Sequence, residues 1–254
     1  MTSSICMESL KKSNAVDLLV LAGGFGTRLQ SAVASVPKAL APVGNVPFLH
    51  LQIEHWIKHG INSFVFLLHH KADLIIGFLQ EEQESGILRD YEVRCLVEPT
   101  PMDTGGAVAY AVEQLGLTGE FLVANSDTWL GTGIECIAQA RAPAVAVVEL
   151  SDSSRYGWVQ FDERYRVTAF QEKGSKRQGS GWINAGMCQL NAASFKEWDH
   201  LPFSLERVTF PAMVARRELK AVPLQTEFID IGVPDDYYRF CSWIASDRKG
   251  TLWS

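Results

Sequence analysis

The sequence predicts an α/β protein of three layers, a mostly parallel sheet covered by helices on both faces. Three observations lead there. Short apolar runs alternate with stretches of helical periodicity through the first 150 residues. Their spacing fits βαβ units, which bring successive strands parallel. A glycine-rich loop follows directly on the first of the runs.

In chain order, residues 17–22 (DLLVLA) read as a buried strand. Residues 47–59 carry Phe48, Leu51, Ile53, Trp56 and Ile57 at helical spacing, with Gly60 as a stop signal. A second strand is expected over 63–68, a helix over 72–83 and a third strand over 91–97. A helix over 106–115 leads to a fourth strand, 121–124, which ends at Asn125-Ser126-Asp127. A helix over 133–140 and a fifth strand over 144–150 complete this half. The pattern then changes. Strands over 158–161, 167–172 and 182–190 are separated by turns without a long helix, which predicts a small β-rich, antiparallel or mixed extension at the sheet edge. Helices return over 192–198, 205–217 and 235–245, with late strands over 220–222 and 227–231.

Bulk properties exclude several classes. A net charge of −6 argues against a nucleic-acid groove, which needs a basic surface. It leaves room for a phosphate site, which needs only a few local cations and N–H groups. No apolar run approaches the roughly 18 residues of a membrane-spanning helix. Five scattered cysteines, odd in number and without a CxxC pair, fit reduced thiols in a cytoplasmic protein. Residues 1–15 lack the apolar stretch of a signal peptide and read as a flexible lead-in.

The strongest motif is Leu21-Ala22-Gly23-Gly24-Phe25-Gly26-Thr27-Arg28-Leu29. Glycines let the backbone approach a phosphate and turn its N–H groups inward. Arg28 adds a planar, permanently charged fork suited to phosphate oxygens. No Gly-Lys-Ser/Thr follows, so this is not a Walker A loop. Leu29 stands where a dinucleotide-binding fingerprint needs its third glycine. Ten residues after Arg28, Lys38 sits in Val36-Pro37-Lys38-Ala39-Leu40, a charge set among apolar neighbours. Asp127 follows an expected strand and Asp230 lies towards the end of another, where open α/β sheets build sites. Alone, either acid also fits a turn or a helix cap.

GGFGTRL followed by PKALAPV resembles the sugar-nucleotide pyrophosphorylases, the group of the glucose-1-phosphate thymidylyltransferases and mannose-1-phosphate guanylyltransferases. The resemblance runs from about residue 17 to 245. It continues through Asn125-Ser126-Asp127, Tyr156-Gly157, Phe170-Gln171-Glu172-Lys173, Ile183-Asn184-Ala185-Gly186 and Phe228-Ile229-Asp230-Ile231-Gly232. Where the family usually carries Gly-Asp before its metal acid, this chain has Asn-Ser-Asp. Within the group, PKALAPVGNVPFL, TGGAV and FSLERVTFP with FIDIGVPDDYYRF look like the D-glycero-α-D-manno-heptose 1-phosphate guanylyltransferases.

The resemblance implies a Rossmann-like nucleotide-diphospho-sugar transferase fold and one nucleotidyltransferase domain over residues 16–254. Its nucleotide-binding half would be 16–150 and its sugar-phosphate half 151–254. It implies Mg²⁺ on Asp127 and Asp230, with Arg28, Lys38 and Lys173 as catalytic cations. Leu21, Ala22, Gly23, Gly24, Gly26, Thr27, Arg28, Thr104, Gly105, Gly106 and Asn125 are implied to bind the nucleotide, with the base near Glu98–Pro101. Lys38, Tyr156, Gly157, Glu172, Lys173, Asn184, Ala185 and Gly186 are implied to bind the sugar phosphate. The implied partners are a nucleoside triphosphate, GTP in the narrower resemblance, and a sugar 1-phosphate, with neither nucleic acid nor membrane. The implied product, GDP-heptose, feeds bacterial surface glycans, and mannose 1-phosphate or another hexose phosphate is the alternative. The oligomeric state, a homo-oligomer included, stays open. A regulator that kept the fold without catalysis would have lost part of the acid and cation set, which is complete here. A glycosyltransferase would usually show Asp-x-Asp where this chain has Asn125-Ser126-Asp127.

Overall fold

In the computed structural model, which describes residues 17–171 and 179–247, the first strand β1 (Leu18–Leu21) lies at the sheet centre, flanked by two parallel neighbours. Its residues alternate between the two faces: Leu18 and Val20 join one core, Leu19 the other. The expected lead-in, 1–15, lies outside the described residues.

After the glycine-rich loop come the two-residue strands β2 (Pro42–Val43) and β3 (Val46–Pro47), then α1 (Phe48–Lys58), β4 (Ser63–Leu68), α2 (Ala72–Ser85) and β5 (Glu92–Val97). Next are α3 (Asp103–Gln114), β6 (Glu120–Asn125), β7 (Thr128–Leu130), α4 (Ile134–Ala138) and β8 (Ala144–Leu150). The second half holds β9 (Trp158–Phe161), β10 (Val167–Gln171), β11 (Gly181–Asn191), α5 (Phe210–Ala215), β12 (Lys220–Leu224), β13 (Phe228–Asp230) and α6 (Pro234–Asp247). A π-helical turn, Leu205–Thr209, leads into α5. None of the described helices is long and apolar enough to cross a membrane.

The main sheet runs β10-β9-β11-β6-β1-β4-β5, with β8 on β11 and β12 on β8. The stretch β6-β1-β4-β5 is parallel, as the βαβ spacing predicts. The strand expected fifth, β8, does not extend that series. The long antiparallel β11 intervenes between it and β6. Eleven residues let β11 serve two neighbourhoods: its second half pairs with β6, while Ile183 in its first half pairs with Trp158 of β9. The switch occurs where the register shifts between Asn184 and Cys188, with Gly186 at φ +74°.

Helices cover both faces. Leu49, Ile53 and Trp56 of α1, Ile75 and Leu79 of α2, and Ile134 and Ile137 of α4 pack on one face. Ala107, Val108, Ala109 and Ala111 of α3, with Phe210 and Met213 of α5, pack on the other. A third core lies off the sheet. It joins Leu29 and Val33 behind the glycine-rich loop to Trp129 of β7, Ile229 of β13 and Tyr237, Phe240 and Ile244 of α6.

Two helix expectations shift. Helix α3 begins three residues before the expected 106, because Gly105 and Gly106 are packed inside its first turn. Of 192–198 only Ala192–Phe195 is helical, as a 3-10 turn capped by the Asn191 side chain.

Candidate active site

The loop after β1 is shaped by two close approaches. A Cβ at Gly23 would come within 3.0 Å of Glu98 Oε1 and 3.1 Å of the His69 backbone nitrogen. Gly26 is at φ +60°, and a Cβ there would come within 3.2 Å of Lys38 Cβ. Both positions therefore need glycine. The loop is tied to the chain after β4 by the His70 N–H, which donates to the Gly23 carbonyl at 3.3 Å. Lys38 opens a 3-10 turn that Pro37 enters in extended conformation. Its ammonium forms an ion pair with Asp127.

Asp127 and Asp230 are far apart in sequence but adjacent in space. Strands β7 and β13 form an antiparallel ribbon in which Asp230 is opposite Thr128, and the Ile231 N–H donates to the Asp127 carbonyl at 2.9 Å. Gly232 closes the ribbon: its N–H donates to Asp230 Oδ1 at 2.7 Å, and a Cβ there would come within 3.1 Å of Lys38 Nζ. Two carboxylates and one ammonium thus converge on a single spot.

The turn carrying Asp127 is held from beneath by α1. The Gln52 side chain, 1% exposed, donates to the carbonyls of Asn125 at 3.2 Å and Thr128 at 2.9 Å. Both ends of the turn rest on one amide nitrogen. Replacing Gln52 with Met keeps the bulk and strands those carbonyls, at a cost of about 1–3 kcal/mol. The expected result is a lower melting temperature and roughly tenfold lower turnover of whichever substrate pair the protein uses. Thermal unfolding and steady-state kinetics check this, and unchanged turnover would remove Gln52 from the support of Asp127.

Two chambers open on either side of Asp127. The first, about 480 Å³, is lined by Leu21, Gly23, Gly24, Phe25, His69 and Glu98 on one side and by Met102, Asp103, Thr104 and Pro202 on the other. Glu98 is buried here and accepts the Met102 N–H at 2.9 Å; burial pushes its carboxyl pKa up. Phe25, half exposed, rests its ring against His70. The second chamber, about 310 Å³, holds Arg28, Tyr156, Gly157, Asn184, Gly186 and Asp230, with Ser204, Glu206 and Arg207 as a further wall. Asp103, Thr104, Asn125 and Asp127 line both.

The β11 bulge shapes the second chamber. A Cβ at Gly186 would press within 3.0 Å of Asn125 Nδ2 and 3.1 Å of Thr128 Oγ1, so the strand approaches the Asp127 turn only through glycine. Asn184 Oδ1 accepts the Gly186 N–H at 3.1 Å. Tyr156 packs edge-on against Phe228, and burial raises its hydroxyl pKa.

The sequence-predicted residues divide into three groups. Leu21, Gly23, Gly24, Thr104 and Asn125 line the first chamber, and Tyr156, Gly157, Asn184 and Gly186 the second. Arg28, expected with the nucleotide, lines the second chamber and not the first. Seven of the expected residues line neither, Lys38 among them, which meets the site through its ion pair with Asp127. Ala22 and Ala185 are buried in the core, with the Ala22 N–H donating to Leu67. Gly26 packs on Lys38, and Thr27 is exposed on the outer side of the loop. The N–H groups of Gly105 and Gly106 donate to the Phe203 carbonyl at 2.8 and 3.0 Å, and a side chain at Gly105 would run into the Phe203 ring. These two glycines serve close packing of the 201–205 segment on α3. Glu172 and Lys173 lie outside the described residues. Asp103, Glu206 and Arg207 were not expected in the cleft; Glu206 and Arg207 belong to the run FSLERVTFP, which had no role attached.

An α/β fold with a glycine-rich loop, two paired acids, and cations at the junction of two chambers defines a class of enzyme that transfers phosphate-linked groups. A family model described as "Nucleotidyl transferase" matches residues 18–246, and the chain belongs to that family and is an enzyme of it. It is 30% identical over 228 residues to the D-glycero-alpha-D-manno-heptose 1-phosphate guanylyltransferase of Campylobacter jejuni, covering 87% of this chain and 97% of that one. It is 31% identical over 243 residues to the mannose-1-phosphate guanyltransferase of Hypocrea jecorina, where 92% of this chain spans 66% of the relative's length. The crystal structure of HddC from Yersinia pseudotuberculosis complexed with GMP-PN superposes with a TM-score of 0.75 at 31% identity, covering 90% of this chain and 99% of that one.

Proposed function

We propose that this chain joins GTP to D-glycero-α-D-manno-heptose 1-phosphate, giving GDP-heptose and pyrophosphate, with the nucleotide in the first chamber and the sugar phosphate in the second. The single observation that carries the reading is the junction. Two chambers meet at Asp127, beside Lys38 and Asp230, as in-line attack between two bound phosphates requires. The narrower substrate reading is supported by two relatives that this chain spans almost end to end, one named for heptose 1-phosphate and one complexed with GMP-PN. The buried Glu98 carboxylate is an acceptor suited to the N–H donors on the guanine edge.

A phosphate oxygen of the sugar phosphate attacks the α-phosphorus. The α–β anhydride bond breaks and its electron pair leaves with pyrophosphate. Gly23 and Gly24 let the loop backbone approach the triphosphate. Lys38 exchanges its pairing with Asp127 for phosphate oxygens, and Arg28 draws the attacking phosphate from the sugar side. The outer wall of the second chamber, Tyr156 with Asn184, orients the sugar. Asp127 and Asp230 would hold Mg²⁺: two carboxylates at one end of the β7–β13 ribbon form an all-oxygen donor set that leaves room for phosphate oxygens and water. When bound, the ion supplies charge neutralisation at the phosphates. We read residues 16–150 as the nucleotide half and 151–254 as the sugar half, with exceptions in the chamber linings at Arg28, Thr128 and Pro202 and at the shared Asp103, Thr104, Asn125 and Asp127.

The test is pyrophosphate release with four nucleoside triphosphates crossed against heptose and hexose 1-phosphates. GTP with the heptose phosphate is expected to give the highest kcat/KM. A preference for mannose 1-phosphate with GTP would move the protein to the alternative that the Hypocrea jecorina relative represents. Preference for UTP, CTP or dTTP would sink the guanylyl reading.

A further inference from the structure

The wall of the second chamber contains a carboxylate to which neither the fold nor the reading above gives a task. Glu206 lies in the π-helical turn, a rare conformation often found at functional sites. Its Oε2 accepts two hydroxyls, Thr104 Oγ1 at 2.7 Å and Ser204 Oγ at 2.8 Å. Both hydroxyls are fixed in turn. Thr104 Oγ1 accepts the Leu205 N–H at 2.9 Å, and Ser204 Oγ accepts the N–H groups of Glu206 and Arg207 at 3.1 and 3.2 Å. Ser204 is 4% exposed, so the cluster is sealed on the protein side. This arrangement occupies one oxygen of Glu206 twice, while Oε1 has no hydrogen-bond partner among the described residues.

We propose that Glu206 is a specificity residue for the acceptor, its Oε1 receiving a hydroxyl of the sugar in the second chamber. The inference rests on the sugar 1-phosphate reading. Three arguments carry it. A carboxylate is an acceptor-only group, so a chamber built for phosphate tolerates it only where hydroxyls meet it. A rigidly held acceptor discriminates strongly, because a sugar lacking the matching hydroxyl leaves it desolvated and unpaired. Finally, Thr104 lines both chambers, so the carboxylate is anchored to the wall that the nucleotide also touches.

Glu206→Gln separates recognition from support. The amide oxygen can still accept both hydroxyls, while the outward oxygen becomes an N–H₂ donor. In the full-length protein, E206Q is expected to raise KM for the sugar 1-phosphate at least tenfold and to leave KM for GTP within twofold. Mono-deoxy analogues of the preferred sugar 1-phosphate complete the test. With the analogue lacking the recognised hydroxyl, wild type and E206Q should differ less than threefold in kcat/KM; with the others they should differ as with the parent sugar. An equal penalty for every analogue, or a parallel rise in KM for GTP, overturns the proposal. If E206Q does not fold, E206D, which keeps the charge and withdraws it by one methylene, is read the same way. Wild-type turnover of sugar phosphates tests the reading beneath; only analogue selectivity tests Glu206.

Discussion

Asp127→Asn should reduce kcat by about three orders of magnitude and flatten the Mg²⁺ activation curve. Paired carboxylates and the ion they would hold supply several kcal/mol of charge stabilisation, and each 1.4 kcal/mol is about tenfold in rate. The geometry adds a second loss. Lys38 is ion-paired to Asp127, so the amide leaves the ammonium without the partner that positions it. Asp230→Asn should behave alike in the Mg²⁺ titration, because the two acids sit at the same end of one ribbon, but it leaves the Lys38–Asp127 pair intact. The two variants should therefore differ at saturating Mg²⁺, with Asp127→Asn the more damaged. An activation curve that is unchanged in either variant would remove that acid from the metal site.

Arg28→Ala should lower kcat by two to three orders of magnitude, since one preorganised charge-stabilising donor is worth roughly 3–4 kcal/mol. Folding should be untouched, because Arg28 is exposed and Leu29, not Arg28, reaches into the third core. Its place in the second chamber makes a sharper expectation. KM for the sugar phosphate should rise more than KM for the nucleotide. The reverse ratio, in a folded variant, would return Arg28 to the nucleotide side where the motif alone suggested it.

Much of the fold is legible in the sequence because the inner strands are buried on both faces and read as unbroken apolar runs. Ser63–Leu68 and Ala144–Leu150 have the predicted bounds. The glycine-rich loop is legible because its glycines meet real steric demands at Glu98 and Lys38. The sequence hides what depends on distant pairing. Strands β7 and β13 have three residues each, too few for a periodic pattern, yet their register brings Asp127 and Asp230 together. The insertion of β11 between β6 and β8 leaves no local trace, because antiparallel and parallel neighbours demand the same apolar residues. TGGAV is ambiguous for a physical reason: glycine permits close approach to a ligand and to another chain segment equally. Gly105 and Gly106 serve the second. Glu206 sits in a run noticed only for its resemblance; nothing in its own neighbours signals that two hydroxyls would fix its carboxylate.

The third core has a consequence for how the enzyme comes apart. A ribbon of two three-residue strands has no stability of its own. It is held in place by Phe240 and Ile244 of α6 and by Phe48 and Leu51 of α1. Helix α6 is thus part of the same cooperative unit as the two acids, although it touches neither chamber. Local opening of α6 is expected to loosen the acid pair while the nine-stranded sheet stays intact. Conversely, ligands that bind across Asp127 and Asp230 must slow amide exchange in α6, because they can bind only while that unit is closed.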